Sequence, residues 1–307
     1  MNRRHLLSGA LAAPLLLPAA RAADRGRADP SFRFAFVTDC HIQPELQAVD
    51  GCRQCFRAVA RGRYDFVIQG GDHVYDALEV DRARANRLMD LYVETEQAIG
   101  SKVHHVLGNH DCFGVFPTSG VAPSAPDYGK QYYIERFGPT YYAFDHKGVH
   151  FVVLDSIGLT PDRSYEGRID PAQLAWLARD LAAQPKGTRI IVATHIPIVT
   201  ALAIYEPEEW TRTPHNWTNV VNAREVLRVL RPYHVIAVLQ GHSHVAETVT
   251  LNGIPFITGG AVSGNWWQGS FLGTDEGYMD IAVDGDQVIP RYRGFGFRTI
   301  DRHDVIV

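Results

Sequence analysis

The sequence predicts an α/β protein built on layered sheets, and two patterns carry that reading. From residue 32 to 107, runs with strand and helix character alternate as strand, helix, strand, helix, strand. Five of the strand-like runs also end on an oxygen or imidazole side chain, and the carboxyl ends of strands are where open α/β sheets form their crevice.

The elements follow in order. Phe32 to Thr38 alternates aromatic and polar residues and then turns apolar, as a strand does. Gln47 to Arg61 has helical spacing. Phe66 to Gln69 is a short buried strand ended by Gly70-Gly71. Val80 to Ile99 is an amphipathic helix with Leu88, Leu91 and Ile99 on one face, stopped by Gly100. His104 to Leu107 is the third strand. Phe113 to Gly138, with Pro117, Pro123 and Pro126, is irregular, and a loop of that length is more often functional than idle. Tyr141 to Asp145 and Val149 to Asp155 form a hairpin. Asp170-Pro171 opens a helix as N-cap and first-turn proline, with Leu174, Leu177 and Leu181 as its buried stripe. Arg189 to Thr194 is a strand. Thr200 to Val221 is irregular and holds Trp210, His215 and Trp217. Asn222 with Glu225 resembles a capping box for a helix to Leu230. Val235 to Gln240 is a buried strand. The tail, about 245–300, is β-rich: Asn252-Gly253 and Asp284-Gly285 each join two strand-like runs. No linker breaks the pattern, so 32–307 is taken as one domain after a flexible lead-in at 23–31.

The N-terminus has a different character. Arg3-Arg4 precedes an apolar, acid-free stretch from Leu6 to Ala19, and Ala20-Arg21-Ala22 is a small-x-small cleavage site. Residues 1–22 are therefore expected to be a signal peptide. The arginine pair points to twin-arginine export and a periplasmic or secreted protein with no stable membrane span after processing. The chain has 30 Lys and Arg against 34 Asp and Glu, a net charge of −4, and no long basic run. That argues against a binder of nucleic-acid polymers. Cys52-x-x-Cys55 has redox or zinc spacing, but no second such pair accompanies it. Two small half-buried residues or a local disulfide is the plainer expectation.

The strand ends carry the chemistry. They read Asp39-Cys40-His41, Gly71-Asp72, Gly108-Asn109-His110-Asp111, His195, and Gly241-His242-Ser243-His244. Imidazole, carboxylate and amide oxygen together suit transition metals better than calcium. The one-apart spacing of Asp39 with His41, and of His242 with His244, is expected to place both side chains on one side of an extended segment.

With these residues in this order, the chain resembles the calcineurin-like metallophosphoesterases over about Phe32 to Thr258. The resemblance implies a four-layer α-β-β-α sandwich, two mixed sheets flanked by helices. It implies one metal held by Asp39, His41, Asp72 and His244, and a second held by Asp72, Asn109, His195 and His242, with Asp72 bridging. Fe, Mn or Zn would suit. Two cations about 3.5–4 Å apart clamp phosphoryl oxygens and acidify a bridging water, whose hydroxide attacks phosphorus. His110 adjoins Asn109 without being a ligand in the family pattern, so it is the candidate general acid, with Asp111 expected to orient and charge it. The substrate would be a small phosphodiester or phosphomonoester. Oligomeric state is left open.

Alternatives remain at this level. Gly71-Asp72-His73-Val74-Tyr75 resembles the corresponding segment of purple acid phosphatases, in which the tyrosine binds iron. The presence of His41 resembles instead the cyclic-nucleotide and glycerophosphodiester phosphodiesterases. Tyr75 is thus expected to pack or support, and His73 to point away from the metals. A non-catalytic metal- or ligand-binding protein on the same fold is a reading of another class. The stretch Gly264 to Gly269, followed by Asp275 to Tyr278, is similar to the end of secreted bacterial members. Trp266 and Trp267 in that stretch, with His215 and Trp217 after His195, are candidate substrate contacts.

Overall fold

The structure, a computed structural model, describes residues 31–206 and 214–306. The expected signal peptide and lead-in, and Trp210, lie outside the described residues.

Two sheets face each other. The first has the order β13-β12-β1-β2-β3, formed by β1 (Phe32–Val37), β2 (Val67–Gln69), β3 (Val103–His105), β12 (Gly277–Asp284) and β13 (Gln287–Gly294). The second has the order β10-β11-β9-β8-β5-β4. It comprises β4 (Tyr142–His146), β5 (Val149–Val153), β8 (Arg189–Ala193), β9 (His234–Gln240), β10 (Glu247–Leu251) and β11 (Ile254–Thr258). Both sheets are mixed. β1, β2 and β3 run parallel, as do β5, β8, β9 and β11, while β4, β10, β12 and β13 are antiparallel to their neighbours.

Alternation along each strand produces the layers. In β1, Phe32, Phe34 and Phe36 point between the sheets, where they meet Phe66, Phe151, Ile191, Leu239 and Ile281. Ala35 and Val37 point outward under α1 (Ala48–Arg61) and α2 (Arg82–Glu96). On the second sheet Val152, Ile190 and Val192 point outward under α4 (Pro171–Ala183) and α5 (Ala223–Leu230). The result is the expected four-layer α-β-β-α sandwich.

Most elements lie within a few residues of their sequence expectation, and the departures have local causes. The Phe113 to Gly138 stretch contains α3 (Gln131–Phe137), and β6 (Ile157–Leu159) pairs with β7 (Tyr165–Gly167) in a hairpin the sequence did not reveal. Three-residue strands have no readable period, and their burial is set by what packs on them. Asn222 does not cap α5 with its side chain. Its amide instead brackets Ile169, accepting from that residue's N–H and donating to its C=O. The last hairpin turns at Gly285-Asp286, one residue later than expected, because Asp284 pairs with Gln287. Among the described residues, no helix is long and apolar enough to cross a membrane.

Because β1, β2 and β3 are parallel, as are β8 and β9, their carboxyl ends lie along one edge of the sandwich. Every ligand-type motif follows one of these five strands.

Candidate metal centre

At that edge two groups of side chains share Asp72. His41 Nε2 lies 3.0 Å from His244 Nε2, and Asp39 Oδ1 lies 3.5 Å from His244 Nε2 and 4.0 Å from His41 Nε2. On the other side His195 Nε2 lies 3.1 Å from Asn109 Oδ1. Asp72 Oδ2 faces both groups, 3.6 Å from His41 Nε2 and 3.2 Å from His195 Nε2, while Asp72 Oδ1 accepts from the His110 N–H at 2.9 Å. His242 joins Asp72 and His195 to complete the second group.

The donor chemistry fits metal ions, and the hydrogen bonds behind the imidazoles show why. His195 Nδ1 faces the Gly70 carbonyl at 2.8 Å, and His244 Nδ1 faces the Gly264 carbonyl at 2.6 Å. Each ring donates there, so its Nε2 is the atom turned into the site. His242 is reversed. Its Nε2 faces the Trp217 carbonyl at 2.7 Å, which leaves Nδ1 as the inward atom. In the first group nitrogen faces nitrogen, His41 Nε2 on His244 Nε2, with burial holding both imidazoles neutral, an arrangement that a cation reconciles. The carboxylates agree. Burial raises the Asp39 carboxyl, with Asp72 nearby adding to the rise. Burial works the same way on Asp72, but His195, His110 and His41 outweigh it and hold that carboxyl well below its usual range. Burial would lower His195, yet Asp72 and Asp39 push it up to about 9. The site attracts positive charge.

The backbone at these residues is not extended. Asp39, His41, Asp72, His242 and His244 all have φ between 41° and 71°, the left-handed region. The alternation argument for the one-apart pairs is therefore corrected: tight turns, not a pleated segment, aim both side chains inward. Each such residue costs about 1–2 kcal/mol, strain that persists where surrounding structure over-determines it. Here the surroundings include Thr38 Oγ1 on Asp39 Oδ2 at 2.5 Å, and the His242 N–H on both Asp39 oxygens at 3.0 and 3.1 Å. Two glycines let the ligand loops touch. A Cβ on Gly108 would overlap the Asp72 amide and Oδ1, and one on Gly241 would overlap Thr38 Oγ1 and sit 2.9 Å from Asp39 Oδ2.

His110 extends from the 3-10 turn Asn109–Asp111 toward the same space, its ring 4.9 Å from that of His41. The expectation that Asp111 orients His110 is corrected, although its charge still helps to raise that imidazole. The Asp111 carboxylate turns back under the loops, accepting from the Asp72, His73 and Gly108 amides at 3.0, 2.9 and 2.9 Å, and from His73 Nδ1 at 2.8 Å. In a tight turn successive side chains splay apart, so residues 110 and 111 cannot share a direction. Asp111 instead clasps the loops after β2 and β3. The carboxylate beside His110 is Asp76, whose Oδ1 is 3.6 Å from His110 Nδ1, too far for a hydrogen bond but near enough for charge. Burial would lower His110, but Asp72 and Asp76 prevail and push it up to about 9.

A cavity of about 220 Å³ opens on these groups. Leu78, Phe116, Tyr165 and Trp217 form one wall and Trp266 another. Tyr165 and Trp217 stack with centroids 5.3 Å apart and planes 12° apart, and Trp266 lies 4.3 Å from the His244 ring. Two candidate substrate contacts are corrected. Trp267 is fully buried beneath the site and donates from Nε1 to the Cys40 and His41 carbonyls at 3.0 and 3.1 Å. Trp266 and Trp267 both have positive φ, so the pair turns its two rings to opposite sides. His215 pairs with Asp162 at 2.8 Å and does not line the cavity. Asp76, Tyr165 and Phe116 were missed because no local pattern marks them; only the fold brings them to the metal loops.

The remaining sequence questions have plain geometric answers. His73 points away from the metal groups, stacking on Phe137 and facing His105 Nδ1 at 3.1 Å. Tyr75 exposes its side chain and offers only its carbonyl, 3.4 Å from His41 Nδ1. All four cysteines are free and buried, and burial pushes the Cys52, Cys55 and Cys112 thiols up.

The comparisons agree with this architecture. A curated relative, a probable cyclic nucleotide phosphodiesterase of Rhodococcus erythropolis (strain PR4 / NBRC 100887), is 31% identical over 164 residues, 51% of this chain and 44% of the relative. The chain thus matches less than half of that relative's length. Two solved structures share the fold. A dimetal phosphatase from Danio rerio has a TM-score of 0.60 at 19% identity, covering 90% of this chain and 100% of that one. The purple acid phosphatase PPD1 from yellow lupin (Lupinus luteus) has a TM-score of 0.58 at 13% identity, covering 89% and 53%. Residues 32–246, which hold every ligand-type motif described above, match the calcineurin-like phosphoesterases, and the chain belongs to that family.

Proposed function

We propose that this hydrolase works with two transition-metal ions, Fe, Mn or Zn, and cleaves small phosphodiesters or phosphomonoesters. Asp39, His41, Asp72 and His244 would hold one ion, and Asp72, Asn109, His195 and His242 the other. The observation that carries the reading is Asp72 Oδ2, which faces His41 on one side and His195 on the other. When bound, such a pair supplies Lewis acidity toward phosphoryl oxygens and an acidified water. The protein's own part is positioning and proton delivery. His110, held protonated beside Asp76, gives its proton to the leaving oxygen. Trp266 on one side and the Tyr165–Trp217 stack on the other confine the ester substituents and exclude water. Residues 1–22 would direct the protein to export through the twin-arginine route, a point that cell fractionation tests.

Elemental analysis of the purified protein, coupled to a panel of mono- and diesters, tests the reading. Two metal equivalents with turnover are expected, and a metal-loaded protein inert on the whole panel would favour the non-catalytic alternative. For His110→Ala, both metals should remain while turnover on poor leaving groups falls about 10²–10⁴-fold. A drop in metal content would make His110 a ligand. The purple-acid-like alternative draws no support from Tyr75, whose side chain is exposed and does not line the cavity.

A further inference from the structure

Arg163 stands where glycine would fit more easily. It lies in the turn between β6 and β7 with φ 61°, in the left-handed region that is strained for a residue bearing a Cβ. Glycine would relieve that strain, so the compensation for arginine belongs to its side chain. The guanidinium reaches across to the loop after Cys112. Nε donates to the Val115 carbonyl at 3.1 Å. Nη2 lies among the carbonyls of Gly114, Phe116 and Val121 at 2.9, 3.2 and 2.9 Å, with its two protons shared between them.

That loop has no easy substitute for these bonds. Its N–H groups are turned the other way: Gly114 donates to the Ala77 carbonyl at 2.8 Å, and Phe116 to the Leu78 carbonyl at 2.9 Å. Ser119 Oγ lies 3.0 Å from the Gly114 carbonyl and 2.7 Å from that of Phe116, but one hydroxyl proton cannot serve both fully. The Val115 and Val121 carbonyls have no other donor in reach among the described residues. A buried carbonyl left without a donor is costly, so the loop keeps this shape only while the guanidinium fills it. The loop carries Phe116, which lines the cavity at the metal groups and whose ring lies 6.2 Å from Tyr165 and 6.4 Å from Trp217. Arg163 is two residues from Tyr165. One side chain therefore ties the hairpin that holds Tyr165 to the loop that holds Phe116.

We propose that Arg163 is a positioning residue that sets substrate specificity: by gathering the carbonyls of Gly114, Val115, Phe116 and Val121 it fixes the Phe116 wall of the cavity against Tyr165 and Trp217. That rigid aromatic wall favours esters with a flat substituent over those with a small one. The proposal rests on the reading of this cavity as the substrate pocket of a phosphoesterase, and its test has one arm that needs no turnover.

The probes are bis(p-nitrophenyl) phosphate and methyl p-nitrophenyl phosphate, hydrolysed by the full chain loaded with Mn2+. They share a leaving group and differ in the substituent that stays. Arg163→Met should raise KM for the aryl diester about 3–10-fold, the scale of one aromatic contact, and leave its kcat, the metal content and the KM of the methyl diester nearly unchanged. In a Phe116→Ala background the added Arg163→Met change should alter KM for the aryl diester less than about twofold. Hydrogen exchange is the second arm: the Gly114 and Phe116 amides should exchange faster in Arg163→Met. Should Arg163→Met fail to fold, Arg163→Lys, which keeps a cation but loses the planar fork, reads the same KM split and the same exchange. An unchanged KM for the aryl diester in a folded variant would overturn the proposal. So would an equal rise for both diesters, an equal rise in both backgrounds, or unchanged amide exchange. If the wild-type protein turns over neither diester while exchange still quickens in the variant, it is the reading of the cavity as a substrate pocket that fails.

Discussion

Gly108→Ala tests whether the glycines of the motifs are spacers between ligand loops. The added Cβ would lie 2.9 Å from Asp72 Cα and nearer still to its amide nitrogen and Oδ1. Carbon contacts settle at about 3.5–4.0 Å, so Asp72 or the Gly108 turn must retreat by about 1 Å. Asp72 cannot move freely. Its N–H is held by Asp111 at 3.0 Å, its Oδ1 by the His110 N–H at 2.9 Å, and its Oδ2 is 3.2 Å from His195. Overpacking of this kind costs about 1–3 kcal/mol of stability. A shift of about 1 Å in the carboxylate shared by both metal groups should cost on the order of 10²-fold in turnover. Denaturant unfolding, metal content by mass spectrometry and steady-state kinetics would be measured together. Gly294→Ala is the control, since a Cβ there meets only the Glu276 carbonyl at 3.7 Å. If Gly108→Ala keeps two metals and full turnover, close approach of the loops is not what the glycine serves.

Three further outcomes are expected. Asp76→Asn removes an anion 3.6 Å from His110, so the histidine should lose its proton at lower pH; the alkaline limb of the kcat profile should move down by about one pH unit, with metal content unchanged. Trp267→Ala should cost about 3–5 kcal/mol in denaturant unfolding, because the ring is fully buried, whereas Trp266→Ala should cost little stability and raise KM. His104 stacks on Phe144 at 3.5 Å, and burial, aided by Lys102 and His146, pushes it down to about 4 from 6.5. Its neutral form is favoured by folding, so its contribution is complete above pH 6.5 and is lost as pH falls toward 4. Urea unfolding of wild type and His104→Phe at pH 7 and pH 4 should show a pH-dependent difference of about 1–2 kcal/mol after allowance for solvent screening, and equal pH slopes would contradict it.

The candidate metal groups were legible because they follow parallel strands, and a motif at the end of a parallel strand has few other places to be. Asp39, Asp72, Asn109, His195 and His244 come from five separate strand ends yet lie within one cluster. Their partners were not legible. Asp111 and Asp76 stand one and thirty-four positions from His110, and the distant one is its neighbour in space. Trp266 and Trp267 are adjacent in sequence, yet one lines the cavity and the other fills the core under Cys40 and His41. Spacing could not separate them, because backbone turns at positive φ reverse side-chain directions residue by residue.

By itself the sequence determined the layered α/β plan, the strand ends that carry ligand-type side chains, and the chemical type of those side chains. These follow from periodicity and residue chemistry, which are local. Tertiary structure alone decided which imidazole nitrogen faces inward, which carboxylate stands by His110, and which hydroxyl meets Asn109. Those depend on contacts across the sandwich edge, from Gly70 to His195, Trp217 to His242 and Tyr165 to Asn109. Each pair is brought together by long-range packing, and its geometry exists only once the two sheets have closed on each other.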